Sequence, residues 1–231
     1  MPPPSPPPRP QYTQTLGLDR LDAIHALQPD KFILATEACF LDSLAFNWQT
    51  TGFLYAADII GDLRHHVGGW VAWNTLLLAG DKFPESYGGP NHDNTTRFGD
   101  GILLEFNATG TQRLIFQSAY WIQGHFSRFM RPGSFVVLTT GDITAQSYAD
   151  FESVRKFAVG CRGSCCPPPA AQLPLMSVGY VDPVQQVAGV VVAIVNGEAV
   201  SFNLVDAAGN QHTPCTIPPS SIQTYTWATS N

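Results

Sequence analysis

Lys31-Phe32-Ile33-Leu34-Ala35-Thr36-Glu37-Ala38-Cys39-Phe40 is the stretch from which the fold is read. Phe32 to Ala35 is an apolar run too short for an ordinary helix, so it reads as a buried strand. The run ends on an acid, Glu37. A carboxylate at the carboxyl end of a buried strand is poorly placed for packing and well placed for chemistry, because α/β barrels and open α/β sheets carry their active sites at that end. The plain alternative is a strand-end glutamate facing solvent.

Outward from this strand, the pattern is strand, helix, strand. Phe53, Ala57, Ile60, Leu63 and Val67 recur at three- and four-residue steps, which predicts an amphipathic helix. Gly68-Gly69 is positioned to stop it. Trp70 to Asn74 reads as the next strand, so the two strands should be parallel neighbours in a βαβ unit. Before the unit, Leu18, Leu21, Ile24 and Leu27 form a helical stripe closed by Pro29. Residues 1–15 are proline-rich, with no core of their own.

After the unit, a loop rich in Gly, Pro and Asn runs from about 79 to 101. Residues 102–106 and 112–116 then form a hairpin. The next helical stretch, with Tyr120, Gly124 and Ser127 on one side and Ile122, Phe126 and Phe129 on another, reads as buried on much of its circumference. Pro132-Gly133 closes it. Beyond it, residues 135–140, 175–181, 187–195, 199–205 and 222–227 are strand-like and separated by turns. Asn196-Gly197 is the strongest hairpin signal among them. Val190 to Val195 is apolar at both parities, as in a strand buried on both faces. The class is therefore α/β plus all-β, with the boundary near residue 131 and a β-sandwich expected beyond it.

Composition excludes several functions. Charged residues make up 13% of the 231 and the net charge is −6, which argues against a nucleic-acid partner. The longest apolar run, Val187 to Val195, is half a membrane span and contains Gly189, so no transmembrane segment is expected. Residues 2–10 are mostly proline, unlike a secretory signal. The five cysteines, Cys39, Cys161, Cys165, Cys166 and Cys215, leave at least one thiol without an intrachain partner. The 161–166 group lacks a histidine at ligand spacing, so it reads as a tied loop, and no metal or cofactor is expected. Asn94-Thr-Thr96 and Asn107-Ala-Thr109 are glycosylation acceptor triplets.

Five motifs, in order, carry a resemblance: Ala35-Thr-Glu37-Ala-Cys39, Gly69-Trp-Val-Ala-Trp-Asn74, Gly88-Gly-Pro-Asn91, Gly124-His-Phe-Ser-Arg-Phe129 and Ser221-Ile-Gln-Thr-Tyr-Thr-Trp227. From Phe32 to Trp227 the chain resembles glycoside hydrolase family 30, and within it the lysosomal glucosylceramidase branch. The resemblance implies the C-terminal part of a (β/α)8 TIM barrel followed by a β-sandwich. Residues 1–30 would form a proline-rich leader, 31–130 a partial barrel holding strands seven and eight, and 131–231 the sandwich.

The resemblance also implies a site. Glu37 matches the catalytic nucleophile, and Trp73 an aromatic that walls the sugar subsite. Cys39 matches a position on the pocket floor, which a buried apolar thiol would fill equally well. Asn74 and Asn91 fall in the matching active-site loop. His92 stands where relatives often carry an aromatic or basic residue. For His125 the expectation is packing and a buried hydrogen bond, and for Tyr225 and Trp227 core packing.

A retaining glycosidase uses two carboxylates about 5–5.5 Å apart. The family's acid/base is an Asn-Glu pair on barrel strand four, and no glutamate precedes Glu37 here. The expectation is therefore hydrolysis of glucosylceramide or another β-glucoside by the family's complete barrel, with the 231-residue chain inactive alone. A non-catalytic role for the sandwich as an interaction or carbohydrate-binding module stays open, as do β-xylosidase and β-1,6-glucanase specificities. A lysosomal or secreted setting, an activator protein and peripheral membrane contact follow from the resemblance alone.

Overall fold

The computed structural model describes residues 18–38, 52–72, 75–78, 102–106, 112–137, 139, 175–194, 198–205 and 211–229. The 1–15 tail, the 79–101 loop, Asn196-Gly197, the 161–166 cysteines and both glycosylation triplets' asparagines lie outside the described residues.

Chain order begins with helix α1 (Leu18–Leu27), strand β1 (Ile33–Ala38), helix α2 (Phe53–Arg64) and strand β2 (Val67–Ala72). As the apolar spacing predicts, β1 and β2 pair in parallel. The exit of α2 differs from expectation. Helix α2 ends at Arg64, His66 takes the left-handed conformation at φ 69°, and Gly68-Gly69 falls inside β2. The glycines serve the sheet instead of a cap: a Cβ at Gly69 would come 2.8 Å from Leu34 Cδ2 on β1.

Strand β3 (Leu76–Leu78) pairs in parallel with β4 (Ile102–Phe106), which forms the expected antiparallel hairpin with β5 (Gln112–Phe116). Helix α3 (Ser118–Ser127) follows. The all-β part then contains β6 (Phe135–Val137), β7 (Met176–Asp182), β8 (Val187–Ile194), β9 (Val200–Val205), β10 (Gln211–Ile217) and β11 (Ser221–Ala228). One antiparallel sheet has the order β11-β8-β7-β6, and β9 pairs separately with β10.

Strands β8 and β9 on either side of the Asn196-Gly197 segment do not pair with each other: β8 belongs to the four-stranded sheet and β9 to the pair with β10. Strand β8 already has a neighbour on each side, β7 and β11. By contrast, the 182–185 turn is a true hairpin turn, with the Asp182 carboxylate accepting from the Val184 and Gln185 amides. Strand β10 escapes a sequence reading because Pro214 and a polar start obscure it. Its pairing partner β9 decides it.

Two apolar clusters meet on β8. Val191 and Ala193 join Phe53, Ala57, Ile60 of α2 and Ile122, Phe126 of α3, while Val190 and Val192 join Ile217, Phe202 and Leu204 of the β9–β10 pair. Burial on both faces of this strand is thus as expected. Tyr225 and Trp227 also pack against the second cluster, and Tyr225 meets Phe202 edge-on at 5.6 Å. A fully buried aliphatic side chain such as Ile60 contributes about 1.5–3 kcal/mol.

The two central helices exchange the roles expected of them. Helix α2 lies between β2 and the four-stranded sheet, so Tyr55, Ala56, Asp58, Ile59 and Asp62 are buried as well as its predicted stripe. Helix α3 packs on α2 and β11 through Ala119, Ile122 and Phe126, leaving Tyr120 and Trp121 exposed. A helix with layers on two sides is buried all round, whereas one with a single covered side keeps a wet face.

Candidate active site

Of the residues expected at the site, Glu37 is the one whose backbone is described. It is the penultimate residue of β1. Cys39, Trp73, Asn74, Asn91 and His92 lie outside the described residues. Parallel pairing brings the carboxyl ends of β1 and β2 together, with Ala38 opposite Ala72. Glu37 and Trp73 are each one residue from that pair.

The register there is irregular. Ala35 pairs with Trp70 and Ala38 with Ala72, so three residue steps on β1 oppose two on β2. This is the count of a β-bulge, a feature that concentrates near active sites and re-aims the residues after it. Upstream of the bulge, Ala35 is fully buried and Leu34 and Thr36 are exposed, the alternation of a strand with one covered face. Across the pair, Trp70 packs against the α2 cluster and meets Tyr55 edge-on at 5.8 Å, while Val71 is 53% exposed. The helix covers one face of the pair and the other is open.

Beneath this pair, Asp62 of α2 is buried and its carboxyl pKa is pushed up to about 6, chiefly because burial disfavours the charge. The neighbouring Trp70 indole offsets part of that rise, without reaching full hydrogen-bond geometry. The His125 imidazole is held neutral by burial, which lowers its pKa, and its Nδ1 lies 2.9 Å from Thr224 Oγ1. That is the packing and hydrogen-bonding role expected of it.

A cleft of about 570 Å³ runs from the carboxyl end of β2 along α3, lined by Ala72, Thr75, Tyr120, Trp121, Gly124 and Arg128 among others. Its aromatic wall was missed in the sequence, where the Tyr120 side of the helix read as buried. The available signal was the run of bulky and polar residues Tyr120, Trp121, Gln123 and Arg128 around a mid-helix glycine. Among the described residues, no group of three or more His, Cys, Asp or Glu side chains is disposed to hold a metal ion.

These features belong to a glycosidase architecture. The glycosyl hydrolase family 30 TIM-barrel domain matches residues 11–130, and the chain belongs to that family. Among curated proteins, it is 35% identical to the putative glucosylceramidase 4 of Caenorhabditis elegans over 118 residues, 49% of this chain and 21% of that one. It is 31% identical to the lysosomal acid glucosylceramidase of Mus musculus over 140 residues, 58% of this chain and 24% of that one. The match thus spans about a fifth to a quarter of these relatives' length.

Among solved structures, SrfJ from Salmonella typhimurium superposes with a TM-score of 0.66 at 23% identity, covering 92% of this chain and 38% of SrfJ. An endo-β1,6-glucanase superposes with a TM-score of 0.61 at 18% identity, covering 92% of this chain and 39% of its own. At these identities the likeness is one of fold.

Proposed function

We propose that Glu37 is the nucleophile of a retaining β-glycosidase of glucosylceramidase type, whose substrate is glucosylceramide or another β-glucoside. The observation that carries the reading is the register: in a family 30 chain, a glutamate sits at the carboxyl end of a parallel strand, inside a bulge and beside the strand end that leads into Trp73. Position 37 lies between the Ala35–Trp70 and Ala38–Ala72 pairs, next to the carboxyl end of β1.

In this reading the Glu37 carboxylate attacks the anomeric carbon as the glycosidic bond breaks, giving a glycosyl-enzyme ester. A second carboxylate about 5–5.5 Å away protonates the departing oxygen and then activates the water that releases glucose. The activity is proposed for a site in which both carboxylates are present, not for these residues alone. Trp73, Cys39, Asn74, Asn91 and His92 are the proposed sugar-contacting positions. Residues 131–231 are proposed to form the β-sandwich that braces the 31–130 barrel segment. A lysosomal or secreted setting, membrane-borne substrate and activator protein belong to the same proposal, supported by the likeness to the mouse lysosomal enzyme.

The test is a chimaera in which residues 32–130 replace the matching segment of the mouse enzyme. The expected result is hydrolysis of a fluorogenic β-glucoside that falls at least about a thousandfold with Glu37→Gln, as nucleophile removal does in other enzymes. Trp73→Ala should raise KM. Full activity in the Glu37→Gln chimaera would reject the assignment.

A further inference from the structure

Three imidazoles and a carboxylate meet where α1 touches the turn between α2 and β2. Asp22 Oδ1 lies 2.8 Å from His65 Nδ1 and 3.6 Å from His66 Nε2. His25 stands three residues after Asp22, on the same side of the helix. Its ring stacks on that of His66, with centroids 3.8 Å apart and planes 12° from parallel. The Asp22 and His66 side chains are 47% and 45% exposed, so solvent protons reach the cluster.

Little else holds α1. Leu18 is buried, but Ile24 and Leu27 of the same apolar stripe are 51% and 77% exposed. No described helix or strand packs broadly against it. Of the neighbouring charges, Arg64 is turned toward the Thr139 hydroxyl and the Ser177 carbonyl, and Asp62 is buried within α2. Arg20 on α1, and Asp30 and Lys31 in the link to β1, add a net positive charge on the helix side.

Histidine changes charge between pH 8 and pH 5. With the rings neutral, the Asp22–His65 hydrogen bond and the His25–His66 stack both hold the helix. With all three charged, the cluster passes from one negative charge to two positive ones. The Asp22–His65 bond exists in either state, so acid adds to it only the small gain of a half-exposed ion pair. The stack instead turns from attraction to repulsion between two cations face to face. Moving α1 away relieves that repulsion, and little apolar burial resists the movement. We propose that Asp22, His25, His65 and His66 form an acid-released clasp, which docks α1 on the α2–β2 turn at neutral pH and frees it when the stacked histidines are both charged. The clasp does not depend on the nucleophile assignment.

Amide hydrogen exchange of the 231-residue chain, expressed as protection factors at pH 7.5 and pH 5.0, tests this. Protection in residues 18–27 should fall at least about tenfold at the lower pH, while that in β2 and β8 holds. High salt should reduce the fall by screening the stacked charges. His25→Gln and His66→Gly should each abolish the pH response. The second keeps the turn, because His66 has φ 69°, a conformation glycine adopts freely. Equal or greater protection of 18–27 at pH 5.0 in the parent would overturn the proposal. So would a fall that persists in both variants, or one shared by β2 and β8.

Discussion

His125 on α3 and Thr224 on β11 are joined by a 2.9 Å hydrogen bond that spans 99 positions of sequence and ties the family 30 domain to the C-terminal sheet. Removing either partner strands the other in a half-buried site. His125→Ala and Thr224→Val should each lower unfolding free energy by about 1–2 kcal/mol. The double variant should lose less than the sum, since the two act as one contact. Urea denaturation of the four proteins measures both. The folded state also resists protonating this imidazole, while the unfolded chain protonates it near 6.5. Stability due to His125 is therefore present above that pH and lost as pH falls, and His125→Ala should remove that component.

Asp62 titrates with the opposite sense. Its folded pKa is raised from 3.8 to about 6, so above pH 6 the fold holds a buried charge at a cost on the order of 3 kcal/mol. Below pH 6 the folded state takes up the proton before the unfolded chain does, so stability rises and levels off near 3.8. Asp62→Asn should stabilise the protein at pH 7.0–8.0 and flatten that rise. Thermal unfolding across the pH range reads it, and a variant less stable than the parent at pH 8.0 would contradict it.

Two strand glycines should respond differently to alanine. A Cβ at Gly189 would lie 2.5 Å from the Tyr180 hydroxyl oxygen and 2.6 Å from its ring, and Tyr180 is only 1% exposed. Overpacking of that kind costs about 1–3 kcal/mol. At Gly69 the obstacle is the end of the Leu34 side chain, which is 44% exposed and free to turn away. Gly69→Ala should cost less than Gly189→Ala by at least about 1 kcal/mol in chemical denaturation.

Helix α1 is held to the α2–β2 turn by polar contacts. Asp22 Oδ1 lies 2.8 Å from His65 Nδ1, and His25 stacks on His66 at 3.8 Å. Asp22 is 47% exposed, so the pair contributes little globally, about 1 kcal/mol or less. Asp22→Ala should leave the denaturation midpoint nearly unchanged while amide exchange in residues 18–27 accelerates. Unchanged exchange there would mean that the Asp22–His65 contact does not secure the helix.

Much of the fold was legible because its signals are local. The 53–63 spacing names a helix, the apolar runs at 33–35 and 190–193 name strands, and a strand-helix-strand of this length pairs in parallel. The first run is not the buried strand it reads as: Phe32 is 80% exposed and Leu34 44%, because α2 covers one face of the β1–β2 pair. The motifs around Glu37 and His125 were enough to suggest the family. Errors arose where a local signal had two uses. Gly68-Gly69 reads as a helix stop, but its lack of Cβ serves the approach of Leu34. Asn196-Gly197 reads as joining two paired strands, but β8 pairs with β7 and β11, not with β9.

The sequence alone determined that an acid stands at the end of a strand in a parallel βαβ unit, and that a two-faced apolar strand follows in an all-β region. Both follow from residue periodicity, which neighbours in the chain dictate. Only the tertiary structure decided that α2 is buried all round while α3 keeps Tyr120 and Trp121 in solvent, because that depends on how many layers cover each helix. Only it revealed the bulge between Ala35 and Ala38. A bulge is a property of two strands counted against each other, and no single strand's periodicity contains it.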